Sequence, residues 1–367
     1  MSKLLHSTPY KDGFRMPAEF EQHDGCWMLW PERPDTFRMG AKPAQKAYAE
    51  TAIAISQFEK VTMGVSTAQF KNARSKLPSH IRVVEISYND AWVRDTGPIF
   101  VNNGEEVRAV DWEFNAWGGF DGGLYFPWDQ DNLIPRKVAE IEWFDRYQAD
   151  MVLEGGAITV DGEGTLITTA QCLQNPNRNP DLSQTEIESY LHDYLAIEKT
   201  IWLPRGSDHD ETDGHVDGLC AFIRPSEVVL SWTDNKSASN YEIVREAYDV
   251  LSASTDAQGR QLKIHKLYDP SPIIITEEES AGIDTADGTI SRPAGLDMGG
   301  SYINFYIANK GVVVPLYSDP ADPTALATLQ ELMPEYKVVG VSDGREILLG
   351  GGMVHCITQQ QPSPKSK

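Results

Sequence analysis

The chain reads as an α/β protein in which one unit of two short strands, a helix and a further strand recurs about five times. Three observations lead there. Short apolar runs come in pairs about turn signals such as Asn103-Gly104 and Asp161-Gly162. Each pair is followed by a stretch of helical periodicity and then by another short apolar run. Acidic residues also recur at one place in the unit: Asp95, Glu154 and Asp217 each precede the first strand of a pair and lie 59 and 63 residues apart. Units that cannot bury their faces alone but stack on their neighbours make a pseudo-symmetric propeller. An ordinary mixed α/β domain would show the same alternation of strands and helices.

The opening unit is expected to be divided between the chain ends. Residues 26–30 form a strand, and residues 43–58 a helix with Tyr48, Ala52, Ile55 and Phe58 along one face. Strands over 61–65 and 82–86 follow, and the segment around Cys356 is expected beside 26–30, closing the ring. The next unit pairs 99–101 with 107–112, then runs through a helix over 133–144 to a strand at 151–153. In the third, 157–160 and 165–168 flank a glycine-rich turn. Ser183 and Glu186 have the spacing of a capping box opening a helix to about Leu195, and 200–203 is a strand.

The fourth unit pairs 219–223 with 228–232 about Pro225-Ser226, with a helix over 241–251 and a strand at 262–267. The last pairs 302–308 with 312–316. Its helix opens near Pro323, at the first-turn position that proline favours, and leads to a strand at 337–341. No linker divides the chain, so a single domain over 1–367 is expected, with 363–367 a frayed tail.

With 367 residues, 41% hydrophobic and 23% charged, the chain can bury a sizeable core. A net charge of -22 repels phosphate backbones and anionic bilayers, so neither nucleic acid nor membrane is an expected partner. The first 17 residues carry no secretory signal, and no apolar run is long enough to span a bilayer. Cys26, Cys172, Cys220 and Cys356 are widely spaced and form no CxxC pair, so neither a disulfide framework nor a zinc ribbon is indicated. A reducing cytoplasm is the expected location.

Cys356 is approached through Gly350-Gly351-Gly352, a run that lets something come close to the backbone. The other cysteines read as small buried hydrophobes. If units converge, Asp95, Glu154 and Asp217 meet the Cys356 thiol in one pocket with His215. Three carboxylates raise a thiol's pKa, a poor arrangement for a neutral substrate. A cationic substrate neutralises them and favours the thiolate. A guanidinium suits carboxylates best, because it is planar and pairs with them in forks. Asp95 and Asp217 would clamp it, Cys356 would attack, and His215 would serve as acid and then base. Glu154 would hold the imidazole by a hydrogen bond.

Other readings stay open. Asp95 next to Arg94 could be a local ion pair, and Glu154 could merely end a strand. His215 and Asp217, on one face of a strand, could with Cys356 ligate zinc. No second motif at metal spacing supports that, so no metal is expected. His355 should point away from the Cys356 side if the segment is extended, and is not chosen as the base.

Residues 92–98 (Trp-Val-Arg-Asp-Thr-Gly-Pro), 114–119, 153–156, 174–180, 214–218, 302–309 and 350–362 together resemble the agmatine deiminase family over nearly the whole chain. The resemblance implies a five-bladed α/β propeller of ββαβ units, the pentein fold of guanidine-modifying enzymes. It implies hydrolysis of agmatine to N-carbamoylputrescine and ammonia, without cofactor, within polyamine metabolism. It gives Cys356, His215 and Glu154 as catalytic residues and Asp95 and Asp217 as the guanidinium clamp. A homo-oligomer, dimer or tetramer, is also implied. Trp92, Trp117 and Gly352 are candidate pocket walls, and acids over 210–213 suit an alkyl-ammonium. Residues 296–301 and 353–354 depart from the family wording and are expected to alter the pocket rim. The rivals are a peptidyl-arginine deiminase, an amidinotransferase of the same fold, and a polyamine-binding protein without turnover.

Overall fold

The structure is a computed structural model describing residues 2–364. Among these, the strands form five separate sheets, four of which follow one plan. An antiparallel pair is followed by a helix and then by a strand parallel to the second of the pair. Ile99–Asn102 and Val107–Glu113 pair first, with Ile134–Glu142 leading to Arg146–Val152. Thr159–Val160 and Thr165–Thr169 follow, with Gln184–Leu195 and Lys199–Leu203. Next are Cys220–Arg224 and Glu227–Trp232, with Tyr241–Ala253 and Lys263–Tyr268. Tyr306–Ala308 and Gly311–Pro315, with Asp322–Leu332 and Lys337–Val341, complete the four.

The fifth sheet joins the two ends of the chain. Gln359–Pro362 runs antiparallel to His23–Leu29, with Gln360 opposite Cys26, and Val61–Val65 and Arg82–Glu85 continue the sheet in parallel. The pairing strand begins three residues after Cys356 rather than at it. Pro362 and Ser363 are therefore held: Ser363 is buried, and its N–H donates to Gln22. The frayed tail expected over 363–367 does not begin there, and 365–367 lie outside the described residues.

Helices form where the local signals asked for them. Ser183 and Glu186 make the capping box, and Ile187, Leu191 and Leu195, one turn apart, bury the face that covers the sheet. Pro43 and Pro323 sit in first turns. The first helix ends at Ile55, three residues short of Phe58. Leu4–Leu5 adds a strand to Arg146–Val152 that two residues of sequence are too short to announce. No helix of the described residues is long and apolar enough to cross a membrane.

Candidate active site

Each sheet carries a chemistry-bearing residue two to five positions before its first strand: Asp95, Glu154, Asp217, Asn304 and Cys356. Asp95 lies on the single turn Val93–Thr96, and Glu154 in the extended residue after Arg146–Val152. His215 and Asp217 do not lie on a strand, contrary to expectation. They occupy an irregular loop before Cys220–Arg224, which the Asp210 carboxylate ties together by accepting N–H groups of Thr212, Gly214 and His215. Val216 still turns into the core while its two neighbours share one side.

Gly156 stands at the middle of the group. Its N–H donates to Asp95 Oδ1 (2.8 Å) and its carbonyl accepts from Asp217 N (3.2 Å). A Cβ here would come within 2.5 Å of His215 Nδ1 and 2.9 Å of carboxylate oxygens on both Asp95 and Asp217, so only glycine fits. His215 Nδ1 lies 3.9 Å from Asp95 Oδ2, which also accepts the Trp117 indole N–H at 2.9 Å. The Cys356 sulfur is 3.7 Å from Asp217 Oδ2 and 3.5 Å from Asn304 Oδ1.

A pocket enclosing about 390 Å³ of empty space opens onto Cys356 and Asp95, with Trp92, Trp117 and Gly352 in its wall. A Cβ on Gly352 would lie 2.5 Å from the Trp92 ring and 3.1 Å from the Cys356 Cβ, so the glycine permits the indole to pack close to Cys356. His215, Glu154 and Asp217 stand behind this wall. Residues 296–301 and 353–354 do not line it; Met353 is buried and accepts the Tyr317 hydroxyl. Leu124, Tyr125, Thr289 and Ile290 contribute instead. Of the acids over 210–213, Glu211 alone reaches the pocket, and it is held bidentately by Arg292 (2.9 and 2.6 Å).

Glu154 joins the cluster without the expected hydrogen bond to His215. Its Oε1 accepts from Arg178 Nε at 2.6 Å, while its Oε2 and His215 Nε2 are both buried without a partner. Arg178 also donates to the backbone carbonyls of Trp117 and Thr212. One guanidinium thus joins the Glu154 carboxylate, an aromatic wall and the His215 loop. Its signal was a motif residue, read only as part of a resemblance.

Burial pushes the Cys356 thiol well above its ordinary range, and the Asp217 and Asp95 charges add to this. Burial also raises Asp95 to about 6, with His215 opposing and the neighbouring carboxylates contributing. His215 is held well above its usual value: burial opposes its charge, but Asp95, the Cys172 thiol and Glu154 outweigh it. Cys172, read as inert filler, thus packs against the imidazole.

Ligand atoms of Glu154, Cys172 and His215 lie within 4.8 Å of one another. That trio, and not His215 with Asp217 and Cys356, is the metal-capable group among the described residues. It fits a cation poorly, because Arg178 already neutralises Glu154.

Sequence comparison places these residues in context. Residues 15–362 match the family described as Porphyromonas-type peptidyl-arginine deiminase. An agmatine deiminase of Ectopseudomonas mendocina is 57% identical over 98% of this chain and 99% of its own length. One from Pseudomonas aeruginosa is 57% identical over 98% of each chain. The solved structure of an agmatine deiminase of Enterococcus faecalis superposes with a TM-score of 0.96 at 50% identity, covering 99% of this chain and all of that one. The chain therefore belongs to the Porphyromonas-type peptidyl-arginine deiminase family and stands, within it, beside the agmatine deiminases.

Proposed function

We propose that the site hydrolyses agmatine to N-carbamoylputrescine and ammonia through a covalent adduct on Cys356. One observation carries the chemistry: a thiol that opens onto the pocket lies with two buried aspartates, Asp95 in the pocket wall without a lysine or arginine partner and Asp217 3.7 Å from the sulfur and bonded to the His355 imidazole. Full-length identity of 57% to agmatine deiminases supports the same substrate.

In the resting enzyme the thiol stays protonated. A guanidinium held by Asp95 and Asp217 cancels the charges that suppress ionisation, the thiol gives its proton to solvent water, and the thiolate attacks the central carbon. The new C–S bond gives a tetrahedral adduct. His215 donates a proton to one nitrogen, the C–N bond breaks, and ammonia departs from an amidino-thioether. The neutral imidazole then takes a proton from water as its oxygen bonds to the carbon. Cleavage of C–S, with the hydroxyl proton passing to the departing sulfur, releases the urea product and restores the resting thiol. Asp95 chiefly keeps the imidazole cationic for the first step, with Glu154, anchored by Arg178, contributing from behind. Convergence of five equivalent positions, one per sheet, favours a five-bladed α/β propeller forming one catalytic domain.

Trp92 and Trp117 would flank the alkyl chain. Glu211 offers a carboxylate to the distal ammonium, its own charge already balanced by Arg292. A second reading, action on arginine or arginyl peptides, is favoured by Arg292, whose Nη1 is buried without a partner and whose charge could meet a carboxylate. Steady-state rates with agmatine, free arginine and a blocked arginine ester separate them. Agmatine should be preferred by at least about 100-fold in kcat/KM, since burying an unmatched carboxylate costs several kcal/mol. Equal or greater activity on arginine overturns the substrate. Intact mass of enzyme quenched during turnover should show an amidino adduct that maps to Cys356.

A further inference from the structure

A second cavity, enclosing about 570 Å³, is lined by Glu19, Arg94, Asp217 and His355 among apolar walls. It meets the catalytic group at Asp217. Although the segment around Cys356 is a turn and not extended, His355 faces this cavity, on the side away from Cys356 as expected, while its neighbour faces the substrate pocket. The His355 ring makes two close contacts: Nδ1 to Asp217 Oδ2 at 2.9 Å and Nε2 to Glu19 Oε2 at 2.8 Å.

Both partners are carboxylates, and a carboxylate only accepts. A neutral imidazole has a single N–H, so both contacts are satisfied together only when the ring carries two protons. Glu19 is itself fixed as an anion by Arg94 Nη2 (3.3 Å) and the Ile307 N–H (2.7 Å). Arg94 is anchored in turn by Gln360 and by the His355 carbonyl. Asn304 accepts the His355 N–H at 2.8 Å, so the ring has little freedom to leave. Asp217, His355, Glu19 and Arg94 then form an electrically balanced chain of alternating charge.

We propose that His355 is a positioning residue: as an imidazolium gripped between Glu19 and Asp217, it keeps Asp217 ionised and aimed at the guanidinium-binding position beside Cys356. This rests on the reading of Asp217 as half of the clamp. Burial would raise the Asp217 carboxyl, yet the His355 hydrogen bond and charge, helped by His215 and Arg94, hold it below its ordinary value. Asp95, which has no such partner, sits at about 6. The other titratable groups facing Asp217 are Asp95, Asp210 and the Cys356 thiol, and all act against its ionisation. Those facing His355 are Glu19, Asp217 and Arg94; Arg94 opposes its charge, and the two carboxylates outweigh it.

Nitrogen NMR of histidine-labelled wild-type enzyme tests the first half without any substitution. His355 should show two protonated ring nitrogens at about pH 7, where a free imidazole is mostly neutral, and a neutral ring at that pH overturns the proposal. Kinetics test the second half. Glu19→Gln keeps the side-chain shape and lies far from Cys356 in the chain; it should lower kcat/KM for agmatine roughly tenfold, chiefly through KM, and steepen the acid limb as Asp217 begins to take up a proton beside Asp95. His355→Gln should do the same more strongly. Wild-type limbs in both variants, beside a loss of more than about 100-fold in Asp217→Asn, overturn the role of His355 and leave the clamp standing. An Asp217→Asn enzyme with unchanged KM removes the clamp itself, and the role proposed for His355 with it, even if the NMR still shows an imidazolium.

Discussion

The two cavities that meet near Asp217 treat buried charge in opposite ways. Around Glu19 every charged group has its opposite: burial pushes that carboxyl up, but His355 and Arg94 bring it down to about 2. On the substrate side, Asp95 has two N–H donors but only His215 as a cation, 3.9 Å away, and rises to about 6. Burial is similar and the outcome is reversed. A buried charge without a close partner costs several kcal/mol, so one cavity is balanced by the chain itself and the other is left to be balanced by a ligand.

The strongest test of that contrast removes the sulfur. Cys356→Ala should lose turnover by at least about 10⁴-fold while remaining folded and still binding agmatine, because the acids persist. Calorimetry and circular dichroism would check both; turnover within about 100-fold of wild type rules out covalent chemistry. Next in size, Asp95→Asn should cost about 3 kcal/mol of transition-state stabilisation, roughly 10²-fold in kcat/KM. The same substitution should raise the melting temperature of the ligand-free protein, whereas Glu19→Gln should lower it. Opposite signs are the signature of an unpaired and a paired carboxylate, and equal signs would erase the distinction.

A smaller effect is expected from pH. Protonated Asp95 cannot pair with a guanidinium, so kcat/KM should fall about tenfold per unit below pH 6, and Asp95→Asn should abolish that limb. The sign for stability is opposite to that of an ordinary salt-bridged acid. The Asp95 pKa is raised above the unfolded value, so between about 4 and 6 the native state binds more protons, and ligand-free stability should decline as pH rises through this window. Thermal melts across that range check it. Smallest of all, Trp117→Phe keeps an aromatic wall but deletes the N–H bonded to Asp95. A rise in KM of about fivefold is expected, and no change would show that the indole only fills space.

Much of the site was legible because it lies in local pattern. Hairpin turns and helical periodicity placed the repeating elements, and with them the recurrent acids at Asp95, Glu154 and Asp217. The same rule, applied to the fourth sheet, points to Asn304, which was overlooked because residues 302–305 were read as strand. His355, expected to point away from the Cys356 side and not chosen as the base, does face the other cavity; its pairing with Glu19 and Asp217 there had no signal in the sequence. Arg178 bonding to Glu154, 24 residues away, and Glu19 reaching His355, 336 residues away, had no signal in spacing at all.

By itself, the sequence determined which segments become strands and helices and where in each unit a reactive group sits, because periodicity, turn chemistry and caps act over a few residues. Which of those groups are paired and which are left charged and waiting was decided only by the tertiary structure. Hydrogen bonding and desolvation depend on neighbours that are distant in the chain, and only folding determines that His355 meets Asp217 while no comparable partner meets Asp95.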